Sequence, residues 1–138
     1  SQGGNAGMQT VTVIVRDMAL GELSPGDGRK ALFKELLLGL LIGAIIGLVI
    51  GMAGYLIAQS FDLTPKQGGL LGLVVGAAMV LNLLAAALFG VLIPFALKFF
   101  RQDPALGSSI LITTVTDVAG FFFLLALAKW ILTGAASA

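Results

Sequence analysis

The chain holds seven Asp and Glu residues and no Cys or His, which narrows the chemistry open to it. There is no Ser-His or Cys-His nucleophile pair, no Cys/His zinc site, no thiolate or imidazole to hold haem or iron–sulfur, and no disulfide. What remains is oxygen: carboxylates, amides, hydroxyls and backbone carbonyls, the ligands of hard cations. Asp117 is the most informative group. It falls inside a long apolar run, with Thr113 at i−4, Thr116 beside it and Gly120 at i+3. An Asp at the centre of a membrane helix costs about 2.5–3.5 kcal/mol, so something must compensate for it. A protonated Asp bonded to a neighbouring helix is one answer; a wall of a water-lined cation path is the other. Asn5, Gln9, Thr12 and Arg16 fall at i, i+4, i+7 and i+11 and share one side of a helix. That stripe is either glue between helices or the second wall of the same conduit. Glu35, next to Lys34, is a third candidate, as a first-turn carboxylate meeting the helix dipole or as a charge at the mouth of a path.

These side chains need a scaffold, and composition says which kind. Of 138 residues, 58% are hydrophobic and 11% charged, against about 25% charged in soluble domains; the mean hydropathy is +1.05. One soluble core of this size cannot hide so much apolar surface, so bilayer lipid is the solvent expected. A net charge of +1 without a long basic run gives nucleic acid no electrostatic footprint. The expected architecture is an all-α integral membrane bundle of four transmembrane helices, over about 4–20, 31–58, 69–100 and 106–133. The first is the most polar and makes sense only with its polar side toward protein or water. The opening Ser-Gln-Gly-Gly-Asn carries no signal-peptide pattern and reads as the interior of a longer protein, part-way along a helix.

Connectors and helix surfaces carry their own signals. Ser24-Pro25-Gly26-Asp27-Gly28 is a turn cluster; Thr64-Pro65 and Asp103-Pro104 each read as an N-cap followed by proline at the first helical position. Asp17, Glu22, Asp27, Asp62 and Asp103 lie at ends or turns, as solvated or capping groups. Arg16, Arg29, Lys30, Lys34, Lys98 and Arg101 flank connectors 21–30 and 99–105, against Lys66 and Lys129 on the other side. The positive-inside rule therefore makes those two connectors cytoplasmic. Gly39, Gly43, Gly47 and Gly51 form a groove of small residues, matched downstream by Gly68, Gly72 and Gly76, and by Asn82, Ala86 and Gly90. This is a packing pattern, in which Asn82 is expected to bond a neighbouring helix or a backbone carbonyl. Pro94 is a candidate kink.

Taken together, Gly3-Gly4-Asn5-Ala6-Gly7-Met8-Gln9 and Thr113-Thr114-Val115-Thr116-Asp117-Val118-Ala119-Gly120, the latter introduced by Asp103-Pro104-Ala105-Leu106, resemble the second and last transmembrane helices of the MgtE magnesium-channel family. Phe33-Lys34-Glu35 and Gly90 to Pro94 fit as well, and the resemblance runs through the whole chain. It implies five helices per subunit, a homodimer and a single pore lined by the second and fifth helices. Asp117 of both subunits would supply the principal Mg²⁺ carboxylates, with Asn5, Thr113 and Thr116 at the same site; Gln9, Thr12 and Gly120 would line the pore, and Glu35 would lie at the inner mouth. Met8 departs from the pattern, standing where a small or polar residue is common. The resemblance also implies parts outside these residues: a first helix, and cytoplasmic regulatory domains that sense Mg²⁺.

The residues suit that ion independently. Mg²⁺ gives up water reluctantly and is held by one or two carboxylates; one Asp per chain, doubled by a two-fold axis, is such a site. A passive, potential-driven channel in the bacterial inner membrane is the expectation, with Mg²⁺ as cargo and no enzyme activity. Two rivals stand beside it: a proton- or sodium-coupled transporter, and an assembly module whose Asp117 is structural.

Overall fold

The computed structural model describes residues 2–23, 25–61 and 63–136; Ser24 and Asp62, assigned above to turns, lie outside them. The described chain forms α1 (Gln2–Ala19), a single 3-10 turn (Pro25–Asp27), α2 (Gly28–Gln59), α3 (Pro65–Phe99) and α4 (Pro104–Ala136), with no strand among the described residues. The long helices begin a few residues before their apolar runs, because the caps and the polar first turns belong to them. Before α3, Thr64 Oγ1 accepts from the Gln67 amide at 3.4 Å while Gln67 Oε1 accepts from the Thr64 amide at 3.0 Å, a reciprocal capping box. Before α4, Asp103 Oδ1 accepts from the Ala105 amide at 2.9 Å.

α1 and α3 stop in the same way. Gly21 and Arg101 adopt left-handed φ values of 76° and 58°. The next amide in each case, Glu22 or Gln102, reaches back to the carbonyl of Asp17 (2.9 Å) or Leu97 (2.8 Å). This closes the last turn and satisfies a carbonyl the helix leaves free.

α3 is the centre of the bundle: α1, α2 and α4 all pack on it, α1 also packs on α4, and α2 packs chiefly on α3. The reason lies in the small residues. A Cβ placed on Gly47 would stand 2.7 Å from the Gly76 carbonyl oxygen, and one on Gly72 would stand 2.5 Å from that of Gly51. The α2 and α3 backbones thus touch directly, the close approach that lets helices associate where lipid removes any hydrophobic drive. α3 runs unbroken through Pro94, whose ring is buried.

α2, α3 and α4 are each long and apolar enough to cross a membrane. α2 buries only Gly43, Gly47 and Ala58, and turns Leu41, Ile45, Leu48 and Met52 outward. α4 exposes Phe121, Phe122 and Leu125. Apolar faces of this kind suit lipid rather than water. α1 falls short of a span by composition and is held instead through its buried face of Gly3, Gly4, Gly7, Thr10, Val11 and Ile14.

Candidate cation site

The contacts of α1 fix its register. Gly3 lies against Asn82, Gly7 against Ala86 and Ile112, and Thr10 against Gly90, so α1 runs parallel to α3 and antiparallel to α4. Because that glycine face points inward, the opposite one points out: Asn5, Gln9, Thr12 and Arg16 are all exposed. Asn5 lies between Gly3 and Gly7. Its depth on α4 therefore falls between Gly120, which shares Asn82 with Gly3, and Ile112. That is the level of Asp117.

Asp117 is exposed, and no ion pair or hydrogen bond to its carboxylate is found among the described residues. The alternative of an Asp bonded to a neighbouring helix finds no partner among the described residues. Thr113 is exposed on the same side, one turn away, and its hydroxyl donates to the Ser109 carbonyl at 2.8 Å. With the proton committed there, the lone pairs of Oγ1 stay free to accept from water. Thr12 does the same on α1, donating to the Met8 carbonyl at 2.8 Å.

Thr116 is placed otherwise than the sequence led us to expect. It is 0% exposed, and its hydroxyl donates to the carbonyls of Ile112 (2.8 Å) and Thr113 (3.1 Å). One residue is a 100° step around a helix, which turns Thr116 into the bundle while Asp117 faces out. It stands beneath a shallow cleft of about 180 Å³, where burial rather than hydrogen bonding sets its oxygen back from the surface; Asn82, Asp117, Gly120, Phe121 and Leu124 complete the lining.

Glu35 belongs to a different level. α2 starts at Gly28, so Glu35 lies two turns in, and the first-turn dipole reading does not hold. Its Oε2 accepts from the Thr10 hydroxyl at 3.0 Å. With Gln9, Thr10 and Gly39 it lines a cavity of about 220 Å³ between α1 and α2. Thr10 packs against Gly90, eight residues along α3 from Asn82, about 12 Å at 1.5 Å per residue. The fold therefore brings Gln9 to Glu35, not to Asp117. Asn82 is the residue whose part in this region the sequence reading missed, having taken it for a packing group. Instead of bonding a neighbouring helix, its Oδ1 is buried and unpartnered among the described residues. Its position at the midpoint of α3 was the available signal, by the same rule that singles out Asp117.

A bundle of long apolar helices, with oxygen-bearing side chains exposed at mid-depth, has the make-up of a polytopic membrane protein. Comparison with known proteins agrees with that class. The MgtE family, described as "Divalent cation transporter", matches residues 1–127. The chain is 36% identical over 134 residues to "Magnesium transporter MgtE" of Thermus thermophilus, covering 94% of this chain and 27% of that protein. It is 29% identical over 115 residues to "Magnesium transporter MgtE" of Bacillus subtilis, covering 83% of this chain and 24% of that one. The chain belongs to the MgtE family of divalent cation transporters and spans about a quarter of the length of these relatives.

Proposed function

We propose that this chain forms the membrane part of a passive Mg²⁺ channel in which Asp117 is the principal carboxylate for a largely hydrated ion. The observation that carries the reading is the unpaired Asp117, exposed at mid-span and level with Asn5. The names of the two relatives support magnesium as the cargo. Water bound to Mg²⁺ presents only donors, and Asp117, Thr113 and the amide oxygen of Asn5 are acceptors. Gln9 and Thr12 continue the polar face toward Arg16, and Gly120 keeps the wall beside Asp117 low. Glu35 serves the inner mouth. Thr116 supports the wall from within.

A homodimer doubles the carboxylate. Two facing Asp117 side chains balance a divalent ion, whereas a monovalent ion leaves one negative charge over. We assign the protein to the bacterial inner membrane with connectors 21–30 and 99–105 cytoplasmic. Influx then runs down the potential and gains about 4.6 kcal/mol per 100 mV, twice the single-charge value; no ATP is needed.

The test is Mg²⁺ influx into liposomes holding the full-length protein under an imposed potential, wild type beside Asp117→Asn. Influx that follows the potential and is lost in the variant is the expected result. Flux that tracks a proton or sodium gradient instead identifies a coupled transporter. Flux unchanged by the substitution returns Asp117 to a packing role.

A further inference from the structure

Asn82 stands at the midpoint of α3 and at the meeting of two polar motifs. A Cβ on Gly3 of α1 would collide with its Nδ2, and a Cβ on Gly120 of α4 would come within 3.1 Å of the same atom. The glycines that flank Asn5 and Asp117 in sequence thus clear the space in which one amide sits. The residue is 9% exposed and lines the cleft that holds Asp117. Its Oδ1 has no hydrogen-bond partner among the described residues. An unmet carbonyl at mid-bilayer is costly, and lipid offers it no donor. If the amide were there to tie helices together, its oxygen would be occupied.

We infer that Asn82 is a positioning residue for the permeating ion: its amide oxygen accepts a hydrogen bond from a water carried by the cation at Asp117. The inference rests on the reading of Asp117 as the ion's carboxylate. Two features fit it. Waters on a divalent cation are strong donors, so the ion brings to this depth the donor that the chain and the lipid lack. The terminal torsion of Asn is broad and two-fold, so a half-turn exchanges Nδ2 and Oδ1 without disturbing the packing of α3. Asn82 thereby makes α3 a third contributor to the site, after α1 with Asn5 and α4 with Asp117.

The experiment measures the Mg²⁺ concentration that gives half-maximal influx in liposomes holding the full-length protein, with assembly checked by circular dichroism and gel filtration. Asn82→Leu keeps the volume and removes the acceptor; it should raise that concentration about tenfold, the effect of one hydrogen bond. Asn82→Asp adds a carboxylate and should lower it. Opposite shifts from two substitutions at one position are not what a purely structural amide gives. An assembled Asn82→Leu with the wild-type value overturns the inference. Should Asn82→Leu fail to assemble, Asn82→Asp decides: a lowered value supports the role and an unchanged one refutes it. Asp117→Asn is run alongside. Flux that survives in it defeats the underlying reading, whereas lost flux there with unchanged Asn82 variants defeats this inference alone.

Discussion

The seam between α2 and α3 makes a quantitative claim about two glycines three residues apart. A Cβ at Gly72 would lie 2.5 Å from the Gly51 carbonyl oxygen and 3.3 Å from Tyr55 Cβ, whereas at Gly69 nothing lies within 4 Å. Ordinary contact begins at 3.4 Å, so Gly72→Ala must part the helices by about 0.9 Å, and a gap of that size forfeits a quarter to a half of each dispersion contact it opens. Overpacking of this kind costs about 1–3 kcal/mol. Both substitutions gain the same helix propensity, about 0.8–1.0 kcal/mol for Gly to Ala. The difference between the two variants therefore isolates the seam and should be about 1–3 kcal/mol, with Gly69→Ala as stable as wild type or more so. Equilibrium unfolding in mixed detergent micelles measures it. Equal stabilities for Gly72→Ala and Gly69→Ala would refute direct backbone contact between α2 and α3.

Two neighbouring threonines should part company in the flux assay. Thr116→Val keeps the buried shape and should leave Mg²⁺ influx near wild type, while Thr113→Val removes an exposed acceptor and should raise the half-saturating concentration severalfold. Thr64→Ala breaks the capping box at the start of α3 and should cost about 1 kcal/mol in the same unfolding experiment, with flux unchanged.

The helices, their order and their polar caps were legible because hydropathy and capping chemistry are local properties. The glycine seam was legible too, since spacing of four on both helices admits few other uses. Helix rotation was not. α4 is apolar nearly all round, so nothing in its pattern says that Thr116 points in while Asp117 and Thr113 point out; that follows from α3, on which it packs. The start of α2 was hidden in the same way: Arg29 and Lys30 are helical but polar, so hydropathy began the helix at Ala31 and left Glu35 near its first turn. The empty valence of Asn82 is a property of three helices at once and has no trace in any one of them.

The arrangement around α3 also sets an order of events during synthesis. α1 is too polar to reside in lipid by itself, and it meets α2, the helix made directly after it, mainly where Thr10 bonds Glu35 rather than along a packed seam. The surfaces that receive it, around Asn82, Ala86 and Gly90 of α3 and Ile112 of α4, emerge up to about a hundred residues later, which at 5–20 residues per second is about 5–20 s. The helix carrying Asn5 is therefore the first of the four to be translated and the last to be seated.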